Sequence, residues 1–325
     1  QGEFVNEDVS LCASRYRQPA MALLTFVLFL LAPCIGSGAV FKAATKKSLR
    51  HQVQGELQHT TGETLGKGCL VGRTTCTENN VSVLTTKTRD GRSKRELQFG
   101  DECATETTVI CKSTKDCDSS CDMCACDFDE TAELSTHYMQ TMFQQLGPWC
   151  SDVDTKVLLI GLGGGEFPQY LLHHCPGMHI EAVELNGDVI SMARKFFGVR
   201  EAETRFVERF SIQQADALEA VAQRALLNSN SYDAVLVDCF AGGGEVPESC
   251  RSRFFAEKVR DILKPKGALL QNIWHYSKMR EQVQEEFKQT KATYSDVFRG
   301  ALDDLDVPMP PAIRWVDILK ATKTL

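Results

Sequence analysis

Residues 156–176, KVLLIGLGGGEFPQYLLHHCP, join an apolar run to a cluster of glycines and then to a helical pattern. The run at 157–160 is apolar at every position, which is typical of a strand that is buried on both faces. Gly161, Gly163 and Gly165 follow it, and glycines allow a ligand to approach the main chain closely. This order of residues predicts a site for a ligand that contacts the backbone.

A carboxylate stands at a suitable distance from this turn to bind a ribose. The next apolar run, residues 180–184, ends with Glu184, which is 19 residues after Gly165. In nucleotide-binding α/β folds, a carboxylate at this place accepts hydrogen bonds from ribose hydroxyls. The spacing therefore predicts a ligand that contains a nucleoside.

Three interpretations of the glycine turn are open: a dinucleotide site, a site for a nucleoside cofactor without phosphates, or a turn that only packs. The dinucleotide pattern G-x-G-x-x-G/A, counted from Gly161, places Glu166 at its third small position. A long acidic side chain there crowds the helix and repels a pyrophosphate. S-adenosylmethionine has a ribose, an adenine and a sulfonium but no phosphate. We therefore favour it over NAD, and the position of Glu184 favours it over a structural turn.

Two more carboxylates follow later strand patterns. Asp216 and Ala217 come after the third run, where a carboxylate can meet the adenine amino group, although Asp216 is also suited to cap a helix. Asp238 ends the fourth run, above the crevice where open parallel sheets bind ligands. Asp233 begins that same run at its other end and is expected to be structural.

Alternating strand and helix patterns must position these residues. Strands are predicted at 156–160, 180–184, 211–215, 233–238, 267–273, 294–298 and 313–319. Helices are predicted at 166–174, 187–197, 216–227, 251–263 and 277–290, and an amphipathic helix over 132–146 ends at Gly147 and Pro148. This alternation predicts an α/β fold with a doubly wound, mostly parallel sheet and helices on both faces. The acidic segment 303–306 is predicted to be solvated surface.

The N-terminal residues have the pattern of a targeting segment. Met21 precedes an apolar run at 22–32 that is short for a membrane span, and the SGA sequence at 37–39 offers a cleavage site. We interpret residues 21–39 as a signal peptide, with a signal anchor as the alternative, and residues 1–20 as an upstream segment. The protein is then expected to be secreted or lumenal, with no stable membrane span after cleavage.

The cysteines agree with an oxidising compartment. Of the 14 cysteines, eight lie between Cys69 and Cys126, so we predict a Cys-rich, strand-containing region over 40–128 and a second domain over 129–325. The cluster Cys117, Cys121, Cys124 and Cys126 is predicted to form disulfides, with zinc binding as the alternative. A Cys239–Cys250 bridge would restrain the glycine-rich loop 241–245, which is either a mobile lid or a plain flexible loop.

The overall charge argues against one class of partner. The formal net charge is −7 and the sequence contains no block of basic residues, so no nucleic-acid partner is predicted. We assign no metal ligands to the predicted active site.

From about Arg95 to Asn272 the sequence resembles the spermidine synthase-like branch of class I S-adenosylmethionine-dependent transferases. The resemblance rests on the order and spacing of RELQFG, VLLIGLGGGEFPQYLL, IEAVELNGDVISMARKFFG, ADAL, YDAVLVDCF and EVPESCRSRFFAEKVRDILKPKGALLQNIW. It implies a small N-terminal β region followed by a seven-stranded Rossmann-like domain that binds the cofactor at 129–325. A homodimer is also compatible with the resemblance.

The resemblance implies roles for nine residues. The cofactor would be bound by Gly161, Gly163 and Gly165 at its methionine part, by Glu184 at its ribose, by Asp216 and Ala217 at its adenine, and by His137, which replaces a glutamine. Asp238 would be the catalytic residue that faces the group to be alkylated. Asn272 would line the acceptor pocket. Independently of the resemblance, Trp274 follows the fifth predicted strand and would either stack on the acceptor in this pocket or pack against the lid.

Several positions depart from the pattern of aminopropyltransferases. In those enzymes an aspartate of the glycine turn binds the aminopropyl amine, and Gly164 stands there in this chain. A second aspartate is replaced by Ala241, and a tyrosine and a glutamine that contact the polyamine correspond to Thr136 and Asn272. A desolvated ammonium without a partner costs several kcal/mol, so these replacements argue against a polycationic substrate.

The sequence therefore predicts methyl transfer from S-adenosylmethionine to an amine or oxygen of a small molecule or a protein. The alternative is an aminopropyltransferase that uses decarboxylated S-adenosylmethionine. A second alternative is a secreted binding module without catalytic activity.

Overall fold

The computed structural model describes residues 58–60, 64–65, 69–70, 74–78, 81–99, 104–112, 125–241, 245–274, 281–307 and 316–324. The upstream segment and the predicted signal peptide at 21–39 lie outside these ranges, as do Cys117, Cys121 and Cys124. Among the described residues, no helix is both long enough and apolar enough to cross a membrane.

In the described parts of the Cys-rich N-terminal region there are seven short strands. They are β1 (Gln58–Thr60), β2 (Thr64–Leu65), β3 (Cys69–Leu70), β4 (Thr74–Glu78), β5 (Val81–Lys87), β6 (Ser93–Phe99) and β7 (Ala104–Cys111). Five of them make one sheet in the order β1-β4-β5-β6-β7, and β2 pairs with β3 separately. The predicted β-containing region is confirmed.

The second sheet has seven strands, which are β8 (Thr155–Ile160), β9 (Met178–Glu184), β10 (Phe210–Gln214), β11 (Tyr232–Val237), β12 (Leu263–Trp274), β13 (Leu302–Asp306) and β14 (Val316–Thr322). Their spatial order is β10-β9-β8-β11-β12-β14-β13. The first five strands are parallel, and β14 runs antiparallel to both of its neighbours. The predicted seven-stranded, mostly parallel sheet is confirmed.

Seven α-helices accompany this sheet in the part of the chain that the structure describes. They are α1 (His137–Cys150), α2 (Glu166–His174), α3 (Gly187–Phe196), α4 (Val199–Arg205), α5 (Ala217–Leu227), α6 (Arg253–Ile262) and α7 (Glu281–Val297). Alternate residues of β8 point to opposite faces, so Val157 and Leu159 join one core with α1 and α2. Leu158 and Ile160 join the other core with α5, α6 and α7. Both faces of β8 are therefore covered, which explains why residues 157–160 are all apolar.

Helix α3 also connects the two sheets. Its residues Val189, Met192 and Phe196 share an apolar cluster with Val83 of β5 and Leu97 of β6. All five side chains are at most 1% exposed. The small sheet is thereby packed beside the carboxyl ends of β8 and β9.

The prediction of a strand at 294–298 is wrong. Tyr294 and Val297 belong to α7 and Phe298 follows it directly, and this spacing buries all three side chains on one side. The strand that completes the sheet is instead β13, which contains the acidic segment 303–306 that was predicted to be solvated surface. Among the described strands β13 lies at the sheet edge, where the backbone pairs with β14 while charged side chains stay near water.

Two predicted helix boundaries also need correction. Helix α1 continues past Gly147 and Pro148 to Cys150, because a proline in the last turn removes only one hydrogen bond to an earlier carbonyl. Helix α7 is described from Glu281 to Val297, so it extends beyond the predicted end at 290, and the predicted start at 277 lies outside the described residues.

The described residues contain three disulfides, Cys111–Cys126, Cys150–Cys175 and Cys239–Cys250. The Cys239–Cys250 bridge, which the sequence offered as one possibility, is present. Cys126 belongs to the cluster that was predicted to form disulfides or to bind zinc. It forms a disulfide with Cys111, which lies outside that cluster. The Cys150–Cys175 bridge, which joins the end of α1 to the end of α2, was not predicted. Within the described ranges no group of three metal-ligating side chains is present.

Candidate active site

A cavity of about 610 Å³ lies at the carboxyl ends of the parallel strands β8 to β12. Open α/β sheets bind their ligands at this edge because the loops after successive strands meet there. Nine of the ten predicted site residues line it: His137, Gly161, Gly163, Glu184, Asp216, Ala217, Asp238, Asn272 and Trp274. The structure thus brings together residues that are spread over more than a hundred positions of the chain.

The first glycine of the turn permits a close contact between two strand ends. Gly161 has φ +93°, and a Cβ atom there would lie 2.0 Å from the carbonyl oxygen of Asp238. The Asp238 backbone N–H donates to the Ile160 carbonyl at 2.9 Å. Gly161 therefore lets the glycine turn and Asp238 lie directly against each other.

The small sheet reaches the glycine turn through Thr107 of β7. Thr107 Oγ1 accepts a hydrogen bond from the Gly164 N–H at 2.9 Å, and the side chain is 5% exposed. A Cβ atom at Gly163 would lie 2.4 Å from that same oxygen. The sequence motifs did not identify Thr107, because nothing in a strand pattern shows that it contacts a turn more than fifty residues later.

Gly165 does not line the cavity. It precedes α2, and a Cβ atom there would lie 2.5 Å from Cγ2 of Val199 in α4. Close packing between the turn and α4 accounts for this glycine. Its predicted contact with a cofactor is therefore not supported by its position.

Two carboxylates lie at the ends of β9 and β10. Glu184 accepts hydrogen bonds from the backbone N–H of Leu162 at 3.0 Å and from that of Asn186 at 2.9 Å. Asp216 caps α5, since its Oδ1 accepts from the Leu218 N–H at 2.8 Å. The Oδ2 atom of Asp216 has no hydrogen-bond partner in the described part of the chain. Both carboxylates are held in place and keep lone pairs for a ligand.

Asp238 lies at the other end of the cavity, where two side chains hold it. The Tyr138 hydroxyl donates to its Oδ2 at 2.7 Å, and the Asn272 amide donates to its Oδ1 at 3.0 Å. Burial raises the pKa of Asp238 above its ordinary value, and these two hydrogen bonds oppose that rise. Burial and the adjacent Asp238 carboxylate raise the pKa of Tyr138, which stays protonated as a donor. The sequence predicted the amphipathic helix over 132–146 in which Tyr138 lies, but it assigned this residue no role in the site.

Aromatic residues form the wall beside Asp238. The rings of Phe240 and Trp274 have centroids 5.0 Å apart, and both residues line the cavity. Phe240 lies in the segment closed by the Cys239–Cys250 bridge. The Ala241 N–H donates to the Glu245 carbonyl at 2.9 Å, which closes the base of the loop 241–245. Residues 242–244 of that loop lie outside the described ranges.

Glu166 has a structural role that the sequence did not indicate. Its side chain is 4% exposed and accepts hydrogen bonds from the backbone N–H of Ser135 at 2.6 Å and from its hydroxyl at 2.5 Å. Ser135 lines the cavity and precedes α1. Glu166 therefore ties the wall of the cavity to the start of α2.

We expect Glu166→Gln to remove part of the pH dependence of stability. Burial raises the pKa of Glu166 from 4.5 to about 7, although the Ser135 hydrogen bonds oppose this. When a carboxyl group has a higher pKa in the folded than in the unfolded state, its protonated form stabilises the folded state. This contribution to the free energy of unfolding is fully present below the pKa of the unfolded state and is lost as the pH rises through the pKa of the folded state. Urea unfolding should show that wild type loses about 2–3 kcal/mol more than the variant between about pH 5 and about pH 8.

The control for this prediction is Glu133→Gln, which removes an exposed carboxylate from the segment that contains Ser135. It should leave the pH dependence unchanged. Equal losses of stability in wild type and Glu166→Gln would contradict the assignment.

The charges around the cavity are of one sign. Among the described residues that line it, the carboxylates are Glu106, Glu184, Asp216 and Asp238, and none is a lysine or an arginine. Such a lining suits a positively charged ligand and disfavours phosphate groups. This agrees with the preference, predicted from the sequence, for a nucleoside without phosphates over a dinucleotide.

Known proteins of two activities are similar to this chain. A polyamine aminopropyltransferase from Chromobacterium violaceum is 34% identical over 46% of this chain and 52% of its own length. The eEF1A lysine and N-terminal methyltransferase from Homo sapiens is 28% identical over 38% of this chain and 18% of its own length. The chain thus spans about half the length of such an aminopropyltransferase and less of the methyltransferase.

A solved structure has the same fold. The probable spermidine synthase from Corynebacterium glutamicum has a TM-score of 0.58 at 18% identity, covering 78% of this chain and 81% of that chain. The family model of the spermine/spermidine synthase domain matches residues 136–322, which is more than half of the chain. The resemblance seen in the motifs is therefore confirmed, and the chain belongs to the spermine/spermidine synthase domain family.

Proposed function

We propose that this protein transfers a methyl group from S-adenosylmethionine to an amine or oxygen acceptor held against Asp238. As a member of its family, the chain binds S-adenosylmethionine or its decarboxylated form. The observation that supports the proposal most is the close packing around Gly164, which leaves no room for a side chain at the position where aminopropyltransferases have a carboxylate.

The cavity fits this cofactor in shape and in charge. The Glu184 carboxylate is fixed beside the glycine turn and would accept from the ribose hydroxyls, while Oδ2 of Asp216 would accept from the adenine amino group. Ala217 and His137 line the same cavity and are proposed to contact the cofactor. When bound, the cofactor supplies a methyl group on a positively charged sulfur. The acidic lining favours that charge.

Asp238 would act on the acceptor. Each of its oxygens receives one hydrogen bond, so each keeps a lone pair toward the cavity. We propose that Asp238 takes the proton that the acceptor nitrogen or oxygen loses as its new bond to carbon forms. Tyr138 and Asn272 hold the carboxylate in one orientation, and the ring of Trp274 would pack against the acceptor.

The surroundings of Gly164 favour methyl transfer over aminopropyl transfer. A Cβ atom at this position would lie 2.8 Å from the Phe197 ring and 2.9 Å from Cγ2 of Thr107. Interior packing leaves little room to move such groups. An aspartate there would need a rearrangement of both neighbours, so the site is not shaped for the carboxylate that binds an aminopropyl amine.

Aminopropyl transfer is the second candidate function, and one observation favours it. Glu106 lines the cavity beside Thr107 and would place a carboxylate on the same side as the glycine turn. A carboxylate from the small sheet could thus substitute for the one missing at Gly164. The similarity to an aminopropyltransferase also supports this candidate.

Calorimetric binding of three nucleosides tests the proposal. We expect wild type to bind S-adenosylmethionine and S-adenosylhomocysteine more tightly than decarboxylated S-adenosylmethionine. Glu184→Gln should weaken binding of all three at least tenfold, because a hydrogen bond to a charged group is worth about 1.5–3 kcal/mol. The matched control is Glu201→Gln, which removes an exposed carboxylate of α4 outside the cavity.

Each outcome of this experiment has a distinct meaning. Preference for the decarboxylated form would replace the proposal by the second candidate. If no nucleoside binds, both enzymatic functions fail and the inactive binding module remains. Equal affinity of Glu184→Gln and wild type would overturn the assignment of the ribose site.

A further inference from the structure

Thr107 stands where two parts of the molecule meet at the cavity. It belongs to β7 of the small sheet, lines the cavity, and accepts the hydrogen bond of Gly164 N–H. A threonine hydroxyl can accept and also donate. The hydroxyl proton of Thr107 has no acceptor among the described residues. The side chain is only 5% exposed, so this buried hydroxyl can still donate one hydrogen bond to a ligand.

The order of the strands indicates which part of a cofactor would meet this hydroxyl. Across the sheet, the residues at the strand ends are Asp216 after β10, Glu184 on β9, the glycine turn after β8 and Asp238 after β11. With the adenine at Asp216, the ribose at Glu184 and the acceptor at Asp238, the amino-acid part of S-adenosylmethionine is left for the glycine turn. Thr107 covers that turn.

The amino-acid part of S-adenosylmethionine contains a carboxylate, and the decarboxylated form lacks it. No lysine or arginine is present among the described residues that line the cavity, so uncharged donors must hold this anion. An unpaired anion near Glu106 and Asp238 would be repelled, which makes each donor important. Thr107 is a buried donor that already lies against the glycine turn.

We propose that Thr107 donates its hydroxyl proton to the carboxylate of S-adenosylmethionine and so selects this cofactor over its decarboxylated form. This inference rests on the proposed function and names a specificity residue for it. A purely structural role is the competing explanation, in which Thr107 serves only to satisfy the N–H of Gly164.

Thr107→Val tests the inference, with Thr107→Ser as the matched control. Valine keeps the β-branched shape that suits a strand and replaces the hydroxyl with a methyl group, which removes both its proton and the acceptor of the Gly164 N–H. Calorimetry would use S-adenosylhomocysteine, decarboxylated S-adenosylmethionine and 5′-methylthioadenosine, of which only the first has the carboxylate. We expect Thr107→Val to bind S-adenosylhomocysteine roughly tenfold or more weakly, and the other two ligands within about threefold of wild type. Thr107→Ser should retain the wild-type preference.

A structural role would give a different result. If Thr107 only supports the turn, Thr107→Val weakens all three ligands equally, and the inference is wrong while the proposed function stands. If wild type binds none of them, the proposed function fails and the inference with it.

A measurement on the unmodified protein covers the case in which Thr107→Val does not fold. Wild type must then prefer S-adenosylmethionine over its decarboxylated form by roughly tenfold or more. Thr107→Ser must keep that preference. Equal affinity of wild type for the two forms would overturn the inference.

Discussion

Asp238→Asn should lower the rate of group transfer about a thousandfold while nucleoside binding stays within about threefold of wild type, since positioned general bases contribute about 10²–10⁴ in rate. The carboxylate is the group that can take a proton from the acceptor. Asparagine keeps the shape of the side chain but cannot take that proton. The loss should therefore appear in the chemical step rather than in cofactor affinity.

The released nucleoside measures this reaction and also identifies it. Methyl transfer releases S-adenosylhomocysteine, whereas aminopropyl transfer releases 5′-methylthioadenosine, and chromatography separates the two. A panel of primary amines and hydroxyl compounds would supply the acceptor. The matched control is Asp233→Asn, at the other end of β11. The Asp233 carboxylate forms an ion pair with Lys264 at 2.7 Å, and neither residue lines the cavity. A rate of Asp238→Asn similar to that of wild type would show that another group takes the proton.

The pH profile gives a second readout for Asp238. Burial raises its pKa above 3.8, and the carboxylate form is the one that accepts a proton. The wild-type rate should therefore fall as the pH decreases through this raised pKa. The remaining activity of Asp238→Asn should lack this decrease.

Gly161→Ala is expected to have the largest effect on the folded state. The new Cβ atom would lie 2.0 Å from the Asp238 carbonyl oxygen, and the residue would have to keep φ +93°. The left-handed region costs a residue with a Cβ about 1–2 kcal/mol, and the steric overlap adds to this cost. We expect a loss of stability of about 4 kcal/mol or more, together with loss of nucleoside binding, because the shift displaces Asp238 and the turn.

Denaturant unfolding and nucleoside calorimetry measure this effect. Gly147→Ala is the matched control, because Gly147 lies within α1 and a Cβ atom there would have no neighbour within 4 Å. That variant should be more stable than wild type by about 0.5–1 kcal/mol, the usual difference between alanine and glycine in a helix. Unchanged stability and binding in Gly161→Ala would contradict the close contact between the turn and Asp238.

Local patterns in the chain predicted the strands and helices that carry the cofactor side of the site. The apolar run before Gly161, the spacing to Glu184 and the helix cap at Asp216 each depend on neighbouring residues, and the structure has all three. The same holds for the Cys239–Cys250 bridge, whose partners are 11 residues apart. Such features depend on backbone propensity and periodicity, which short segments already contain.

The strand and surface predictions for residues 294–306 were wrong for a physical reason. The strand β13 is acidic because an edge strand needs only its backbone for pairing, so its residues 303–306 looked like surface. The apolar residues Tyr294 and Val297 suggested a strand but bury one side of a helix. Short apolar runs do not distinguish these two cases, and the tertiary packing decides between them.

The sequence by itself determined the fold class, the glycine turn and the carboxylates at the ends of β9, β10 and β11. Only the tertiary structure decided which side chains meet there. It brought Tyr138 to Asp238 from a hundred residues away, tied Ser135 to Glu166, and placed Thr107 of another sheet on Gly164. Contacts of this kind depend on how the two sheets and α1 pack against one another, and a periodic pattern contains no information about a partner outside its own segment.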